Sequence, residues 1–146
     1  MSRTQILDRE VAQAMSALSA AAKKGLGDPV IAELVMIRAS QLNHCAFCLD
    51  MHLRLAREHG ESEQRIQLLN AWEETGDLFS ERERAALALT EAVTLLTDGV
   101  SDEVCEHAAK HFSEAELAHL IGLITVINGW NRLMVSRRVL PGGYRP

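Results

Sequence analysis

The sequence has few aromatic residues, few prolines, few cysteines and no excess of basic residues. Of its 146 residues, 4% are aromatic, 3 are Pro and 3 are Cys, and the formal net charge is −5. An acidic balance argues against nucleic-acid and anionic-membrane partners, which require a basic surface. Three cysteines are too few for the disulfide framework of a small secreted domain. No apolar run approaches the roughly 20 residues that span a bilayer, so we expect no membrane partner.

The amino-terminal end also lacks the pattern of a secretory leader. Charged side chains are spread through residues 1–22, where a leader has a basic region followed by an apolar one. We therefore expect a cytoplasmic protein. The remaining composition, with 47% hydrophobic and 24% charged residues, is that of a globular protein, and the length suits one domain. The sequence predicts a single domain over residues 1–146 with a short tail at 142–146.

Helical periodicity is found along the whole chain, and no segment alternates polar and apolar residues as a half-buried strand does. About six to seven helices are predicted, over residues 4–22, 29–41, 43–60, 62–69, 81–96, 102–110 and 114–138. Their expected amino-terminal caps are Asp28, which precedes Pro29, then Asn43 and Ser62, and the capping boxes Ser80–Glu83 and Ser113–Glu116. The predicted fold is an all-α helical bundle.

The segment 117–133 is apolar on nearly every face, so a helix formed there must be buried on all sides. A central position within one chain would satisfy this requirement. Because the sequence has few aromatic residues to fill a large core, we favour burial at a subunit interface, and we expect a homo-oligomer.

The chemistry that the sequence indicates is concentrated at two cysteines. Cys45 and Cys48 are three residues apart, and His52 follows four residues later. On a helix these spacings place all three side chains on one face. A three-residue helical offset also brings two Cα atoms within the range that a disulfide requires. The two sulfur atoms could form a disulfide or lie side by side as thiols.

Two effects would raise the reactive thiolate fraction at this pair. The partial positive charge at a helix amino terminus favours an anion in the first turn, which points to Cys45. An imidazole one turn further on accepts a thiol proton, and His52 is placed to do this for Cys48. Spacing alone does not decide which sulfur attacks.

Glu33 lies twelve residues before Cys45, on the preceding predicted helix. If the two helices fold back on one another, its carboxylate could contact His52 and orient the ring, as the acidic member of a catalytic triad does. The alternative is a solvated glutamate near a helix amino terminus, where an acidic side chain is favoured by the helix dipole.

Two readings of the cysteine pair involve no thiol chemistry. Buried free cysteines often act only as small hydrophobic residues. Alternatively, Cys45, Cys48 and His52 could bind zinc with His44 or Glu33 as a fourth ligand, since zinc accepts sulfur, nitrogen and oxygen donors. The remaining candidates for further ligands lack a matching spacing: Cys105, His107, His111 and His119. No cofactor is predicted.

The whole motif over residues 33–52 resembles that of a known family. Glu33, eleven intervening residues, Cys45-Ala-Phe-Cys48, three residues and His52 are similar to the core of the alkylhydroperoxidase D-like proteins, which belong to the carboxymuconolactone decarboxylase superfamily. The supporting context lies in segments 38–40, 72–87 and 127–132 and at Gly60, so that the resemblance covers about residues 31–138.

The resemblance implies an all-α fold, assembly into homotrimers or hexamers, and reduction of hydroperoxides by the two cysteines. Cys48 would be the peroxidatic thiolate, and Cys45 would resolve its sulfenic acid as a disulfide. His52 would deprotonate Cys48, and Glu33 would orient His52. The implied partners are a small-molecule hydroperoxide and a dithiol reductant, either a protein or a small thiol.

One position departs from the family pattern. The best-known member has a second histidine between its cysteines, and this sequence has Phe47 there. The decarboxylase branch generally lacks the cysteine pair, which argues against lactone decarboxylation. The alternative functions are a dithiol–disulfide oxidoreductase or redox sensor without strong peroxidase turnover, and a non-catalytic metal-binding oligomer.

Overall fold

The structure, a computed structural model that describes residues 2–143, consists of helices joined by short connections. Seven α-helices lie within the described residues: α1 (Arg9–Leu26), α2 (Pro29–Leu42), α3 (Ala46–Glu58), α4 (Glu63–Leu68), α5 (Glu81–Leu95), α6 (Asp102–Ala109) and α7 (Glu114–Arg137). Short 3-10 helices occur at Arg3–Gln5 and Leu69–Glu74. The predicted all-α fold is confirmed. The predicted tail at 142–146 lies outside the described residues from residue 144 onward.

Most of the predicted helix caps are formed. The side chains of Asp28 and Ser62 accept hydrogen bonds from backbone N–H groups three residues further on, at 3.0 and 3.2 Å. In both predicted capping boxes the serine accepts from the third helical N–H and the glutamate accepts from the serine N–H: Ser80 with Glu83 and Ser113 with Glu116. These local bonds satisfy N–H groups that have no partner within the helix.

The first helix begins and ends later than predicted, at Arg9–Leu26 rather than at residues 4–22. Its cap is Asp8, whose side chain accepts from the Val11 N–H at 3.0 Å. Gly25 lies inside the helix, and Gly27, with φ 66°, ends it in the left-handed conformation that glycine adopts without steric cost. The prediction was wrong at both ends. It placed Asp8 inside the helix instead of at its amino-terminal cap, and it ended the helix before Gly25 instead of at Gly27.

Helix α2 lies at the centre of the molecule, because every residue from 31 to 37 is buried. One side of the helix, which includes Ile31 and Val35, packs in a core with α1, α5, α6 and α7. The other side, with Leu34 and Ile37, packs in a second core with α3, α4 and α5. Helices α2 and α7 are the two most apolar, and α2 is the one whose central residues are covered on all faces within the chain.

Helix α7 packs along α1 and also contacts α2 and α5. Leu120, Leu123, Ile124 and Ile127 are at most 1% exposed, whereas Ile121 is 44% exposed. The segment 117–133 is thus buried on most faces by its own chain and keeps one face open, and its burial at a subunit interface stays a prediction. Within residues 2–143 no helix combines the length and apolar character needed to cross a bilayer.

Candidate active site

The connection between α2 and α3 places both cysteines at the start of α3. The amino-terminal cap of α3 is Cys45, whose Sγ accepts from the Cys48 N–H at 3.3 Å. Asn43 was predicted as this cap, and the prediction is wrong: Asn43 ends α2, and its side-chain amide is bonded to α7. The chain turns sharply between them at His44, which has φ 55° and an exposed side chain.

The two cysteine sulfur atoms lie at disulfide-bonding distance, and their Cα atoms are 5.4 Å apart, as the three-residue offset predicts. Each residue is 1% exposed. Only Cys48 and His52 lie on the α3 face, because Cys45 precedes the first helical residue. Both sulfurs nevertheless belong to the first turn of α3, where N–H groups and the helix dipole favour a thiolate.

The carboxylate of Glu33 reaches the imidazole of His52 from α2. The Glu33 Oε2 and His52 Nδ1 atoms are 2.8 Å apart, and the two residues are 5% and 4% exposed. The expectation of a solvated glutamate is wrong, since the side chain is buried against its partner. A bond from Nδ1–H to the carboxylate leaves Nε2 as the nitrogen that is able to accept a further proton.

A cavity of about 450 Å³ meets this group on one side. Cys48 and His52 are part of its lining, whereas Cys45 and Glu33 are not. The structure therefore brings the four predicted site residues together and gives them unequal access to the cavity. Cys48 and His52 line the same cavity, while Cys45 and Glu33 contact them without lining it.

The third cysteine and His107 lie on another helix, α6, and His111 follows that helix. Cys105 is an exposed free thiol, and the rings of His107 and His111 pack edge to face on each other at 5.5 Å. Over residues 2–143, no set of three or more His, Cys, Asp or Glu side chains is arranged to hold a metal ion. The zinc reading of the cysteine pair therefore receives no support from the geometry.

Comparison with known proteins agrees with this arrangement. The model of the carboxymuconolactone decarboxylase family matches residues 9–92, more than half of the chain. The chain belongs to this family. Uncharacterized protein YdfG of Bacillus subtilis is 46% identical over 105 residues, which are 71% of this chain and 71% of that protein.

Two solved structures have a similar fold. A protein of unknown function from Agrobacterium tumefaciens, suggested to be the antioxidant defence protein AhpD, superposes with a TM-score of 0.88 and is 34% identical, over 94% of each chain. An uncharacterized peroxidase-related protein from Silicibacter has a TM-score of 0.76 over 93% of this chain and 72% of its own, and its 20% identity supports likeness of fold alone. The resemblance to alkylhydroperoxidase D-like proteins is confirmed.

A buried amide network that the sequence analysis missed fixes the α2–α3 connection in this family member. The Asn43 side-chain amide donates to the Oδ1 atoms of Asn128 and Asn131, each at 2.9 Å. Asn131 is fully buried and donates to the hydroxyl of Ser40 at 2.9 Å. Two asparagines inside the apolar segment 117–133 were the available signal, because a polar side chain in such a helix needs a partner.

The cavity lining also includes residues from other helices that the sequence analysis did not place beside the cysteine pair, together with Phe47. Lys23 comes from α1, and Trp130 comes from α7 and donates from Nε1 to the Ser19 hydroxyl at 3.0 Å. Phe47 lies between the two cysteines and lines the same cavity. Nothing in the local sequence around Lys23 links it to the cysteines. Trp130 lies in segment 127–132, which supports the family resemblance, but its place in the cavity appears only in the folded chain.

Proposed function

We propose that this protein is a thiol-dependent hydroperoxide reductase in which Cys48 attacks the peroxide. The observation that carries the proposal is the unequal placement of the two sulfurs: Cys48 lines the cavity beside His52, and Cys45 lies within disulfide distance of Cys48 without lining it. This placement suits a peroxidatic Cys48 and a resolving Cys45. It supports the histidine, rather than the helix terminus, as the deciding influence on which sulfur reacts.

The reaction begins in the reduced protein, where the Cys48 thiolate attacks one oxygen of the peroxide. The O–O bond breaks, Cys48 becomes a sulfenic acid, and the other oxygen leaves as an alkoxide that takes a proton. The Cys45 thiol then attacks the sulfenic sulfur, and a disulfide and water form. A dithiol donor reopens the disulfide by exchange, so one hydroperoxide and one dithiol yield one alcohol, one water and one disulfide.

His52 moves the proton in this sequence. It accepts the proton of the Cys48 thiol and gives it to the leaving alkoxide, so the attack needs no proton from bulk water. Glu33 is a positioning residue, because its carboxylate contacts Nδ1 of the ring and does not line the cavity. It orients the ring through Nδ1 and stabilises the imidazolium that forms after the proton is transferred.

The steady-state test is consumption of cumene hydroperoxide with dithiothreitol as electron donor. We expect Cys48→Ser to consume no peroxide. Without dithiothreitol, Cys45→Ser should consume one equivalent and stop with Cys48 as a sulfenic acid. Cys105→Ser is the matched control, because Cys105 is the free and exposed third cysteine, and we expect it to retain full activity. Full turnover by Cys48→Ser would end the proposal.

A thiol count tests the same cycle without turnover. The reduced protein should titrate 3 thiols, one for each cysteine in the sequence. One equivalent of cumene hydroperoxide should remove two of them, and dithiothreitol should restore both. Loss of a single thiol, or of none, would contradict the proposed cycle.

Phe47 favours a second candidate function, that of a dithiol–disulfide oxidoreductase or redox sensor. It lines the cavity at the position where the best-known member of the resembled family has another histidine, so that imidazole is missing here. The same cysteine pair would then serve as a dithiol–disulfide oxidoreductase or a redox sensor with little peroxidase turnover. A rate with cumene hydroperoxide no faster than that of dithiothreitol alone, together with a measurable disulfide reduction potential, would favour this second function.

We further propose a cytoplasmic homo-oligomer, a trimer or a hexamer. Support comes from apolar side chains that the single chain leaves open: Val11 and Leu18 on α1 are 47% and 41% exposed, and Ile121 on α7 is 44% exposed. Light scattering with size-exclusion chromatography measures the subunit number, and a monomer at all concentrations would exclude this part of the proposal.

A further inference from the structure

The cavity beside Cys48 is lined mainly by residues of α1, α3 and α7. Helix α3 supplies Cys48 and His52, and α1 supplies Ser16, Ser19, Ala20 and Lys23. The rest of the lining is apolar: Met36, Phe47, Met51, Val126, Ile127, Trp130 and Met134. The volume of about 450 Å³ lies in the range of pockets that enclose organic molecules, and it is far larger than hydrogen peroxide requires.

Lys23 is the exception in this lining. Among the described residues that line the cavity, it is the only Lys, Arg, Asp or Glu. Its side chain has no hydrogen-bond or ion-pair partner within residues 2–143. A cation at an otherwise apolar cavity attracts one negative charge and leaves the remaining ligand surface to be covered by hydrocarbon.

A simpler explanation for a lysine at position 23 is that it lies in the last turn of α1, where the helix dipole favours a cation. Lys24 occupies the same turn and satisfies that requirement equally well, yet it does not line the cavity. Comparison of the two lysines therefore distinguishes two roles. Both can interact with the helix dipole, but only Lys23 can contact a ligand in the cavity.

We propose that the cavity binds organic hydroperoxides that combine an apolar chain with a single carboxylate, and that Lys23 pairs with that carboxylate. The inference rests on the proposed peroxide reductase function and narrows its substrate class. Cys48 attacks a peroxide group in the middle of the ligand's hydrocarbon chain or at its end remote from the carboxylate. The products are the hydroxy acid, water and the Cys45–Cys48 disulfide. Lys23 is a specificity-determining residue and takes no part in bond breaking.

The kinetic test compares linoleic acid hydroperoxide with its methyl ester, with dithiothreitol as donor. The two substrates have the same hydrocarbon chain and the same peroxide group, and they differ in that the ester replaces the charged carboxylate by a neutral methyl ester. We expect the protein to prefer the acid, and Lys23→Met to lower kcat/KM for the acid about fivefold, the size typical of a partly solvated ion pair. The ester should be unaffected. Lys24→Met is the matched control and should change neither substrate, and Lys23→Arg should keep the preference.

Salt provides an independent check on the same comparison. The acid-over-ester preference should shrink as sodium chloride is raised from 0.05 to 0.5 M, because the ion pair is screened while burial of the chain is not. Equal kcat/KM for acid and ester in the unmodified protein would overturn the inference. Equal losses in Lys23→Met and Lys24→Met would also overturn it, since the effect would then be one of general charge.

A binding measurement separates this inference from the peroxidase proposal. Decanoate and decan-1-ol are redox-inert probes, and Trp130 in the lining reports their binding by its fluorescence. We expect decanoate to bind more tightly, with the difference lost in Lys23→Met. If no hydroperoxide is reduced but this difference holds, the peroxidase proposal fails and the anion site stands. Binding of decanoate no tighter than that of decan-1-ol would refute the anion site even in an active enzyme.

Discussion

His52 and Glu33 form a buried pair that joins α3 to α2, with Nδ1 and Oε2 2.8 Å apart and both residues at most 5% exposed. A pair in such surroundings is strongly interdependent, because removal of one member leaves the other as a buried polar group without a partner. A bond from Nδ1–H to the carboxylate leaves Nε2 as the nitrogen that is able to accept a further proton. In the proposed mechanism this contact would let the carboxylate stabilise the protonated imidazole.

We expect Glu33→Gln to slow alkylation of the reduced Cys48 by iodoacetamide about tenfold near pH 7. A neutral amide stabilises the imidazolium–thiolate pair less than a carboxylate does, and tenfold corresponds to about 1.4 kcal/mol. The midpoint of the pH–rate profile should move to higher pH. Mass spectrometry of the alkylated peptide assigns the rate to Cys48.

His44→Asn is the matched control for this measurement. His44 adjoins Cys45 in the sequence, but its side chain is exposed, and Asn tolerates its φ of 55°. Its pH–rate profile should match that of the unmodified protein. A shift in His44→Asn as large as that in Glu33→Gln would show that the buried carboxylate has no special role.

We expect Asn131→Ala to destabilise the protein by about 2–3 kcal/mol in urea unfolding. The substitution removes the acceptor of Asn43 and the donor to Ser40, and both partners remain buried or half-buried. Thr125→Ala on the same helix is the control, since its exposed hydroxyl bonds only the carbonyl of its own preceding turn. That change should stay within about 0.5 kcal/mol. Equal losses would mean that the network contributes no more than the single local hydrogen bond of Thr125, because alanine itself favours the helix at both positions.

Helix ends were predictable from the sequence wherever the decisive contact is local. The boxes of Ser80 and Ser113 close within four residues, so the pattern alone identifies them. The start of α3 was not predictable in this way. Asn43 is a better cap than Cys45 by intrinsic preference, but its amide bonds Asn128 and Asn131 on α7, 85 and 88 residues further along the chain. A tertiary contact therefore transferred the cap to Cys45.

The same distinction holds for the candidate site. Cys48 and His52 were identifiable because one helix carries both at a four-residue spacing, and Glu33 was placed by the fold-back of the neighbouring helix. The cavity was not foreseeable. Its lining includes Lys23 and Trp130, which are distant from the cysteine motif in the sequence and come together through packing of α1 along α7.

Two helical glycines at the contact of α1 and α7 should respond oppositely to alanine. Alanine in a helix interior is usually about 1 kcal/mol more stable than glycine. At Gly122 a Cβ would lie 3.8 Å from Ala22 Cβ, an ordinary contact, so Gly122→Ala should stabilise the protein by about 0.5–1 kcal/mol. At Gly25 a Cβ would overlap the His119 ring, so Gly25→Ala should be destabilising. Urea unfolding measures both.

The double variant Gly25→Ala with His119→Ala identifies the cause. Removal of the ring relieves the overlap, so the double variant should be more stable than Gly25→Ala alone. If the two alanine substitutions at glycine gave equal gains, the close approach of Gly25 to α7 would be excluded.

Arg65 and Glu83 link α4 to α5 through paired hydrogen bonds of 2.8 and 3.0 Å. Burial raises the pKa of the Glu83 carboxyl, but the bonds from Arg65 and the Ser80 backbone outweigh it and hold the pKa below its ordinary value. A carboxyl with a depressed folded-state pKa stabilises the protein above its unfolded pKa of about 4.3 and loses that contribution as the pH falls further.

We therefore expect Glu83→Gln to lower stability by about 1 kcal/mol at pH 7, since glutamine keeps the helix cap and loses the ion pair. The difference from the unmodified protein should shrink steadily as the pH falls below about 4.3, because both chains then carry a neutral group at this position. Glu116→Gln is the control: Glu116 fills the same place in the second capping box but is exposed to solvent in its pair with Arg82, and its pH-dependent difference should be smaller. Urea unfolding at pH 3, 5 and 7 measures both variants. A difference for Glu83→Gln that stays constant across this range would exclude the ionised carboxylate as the stabilising group.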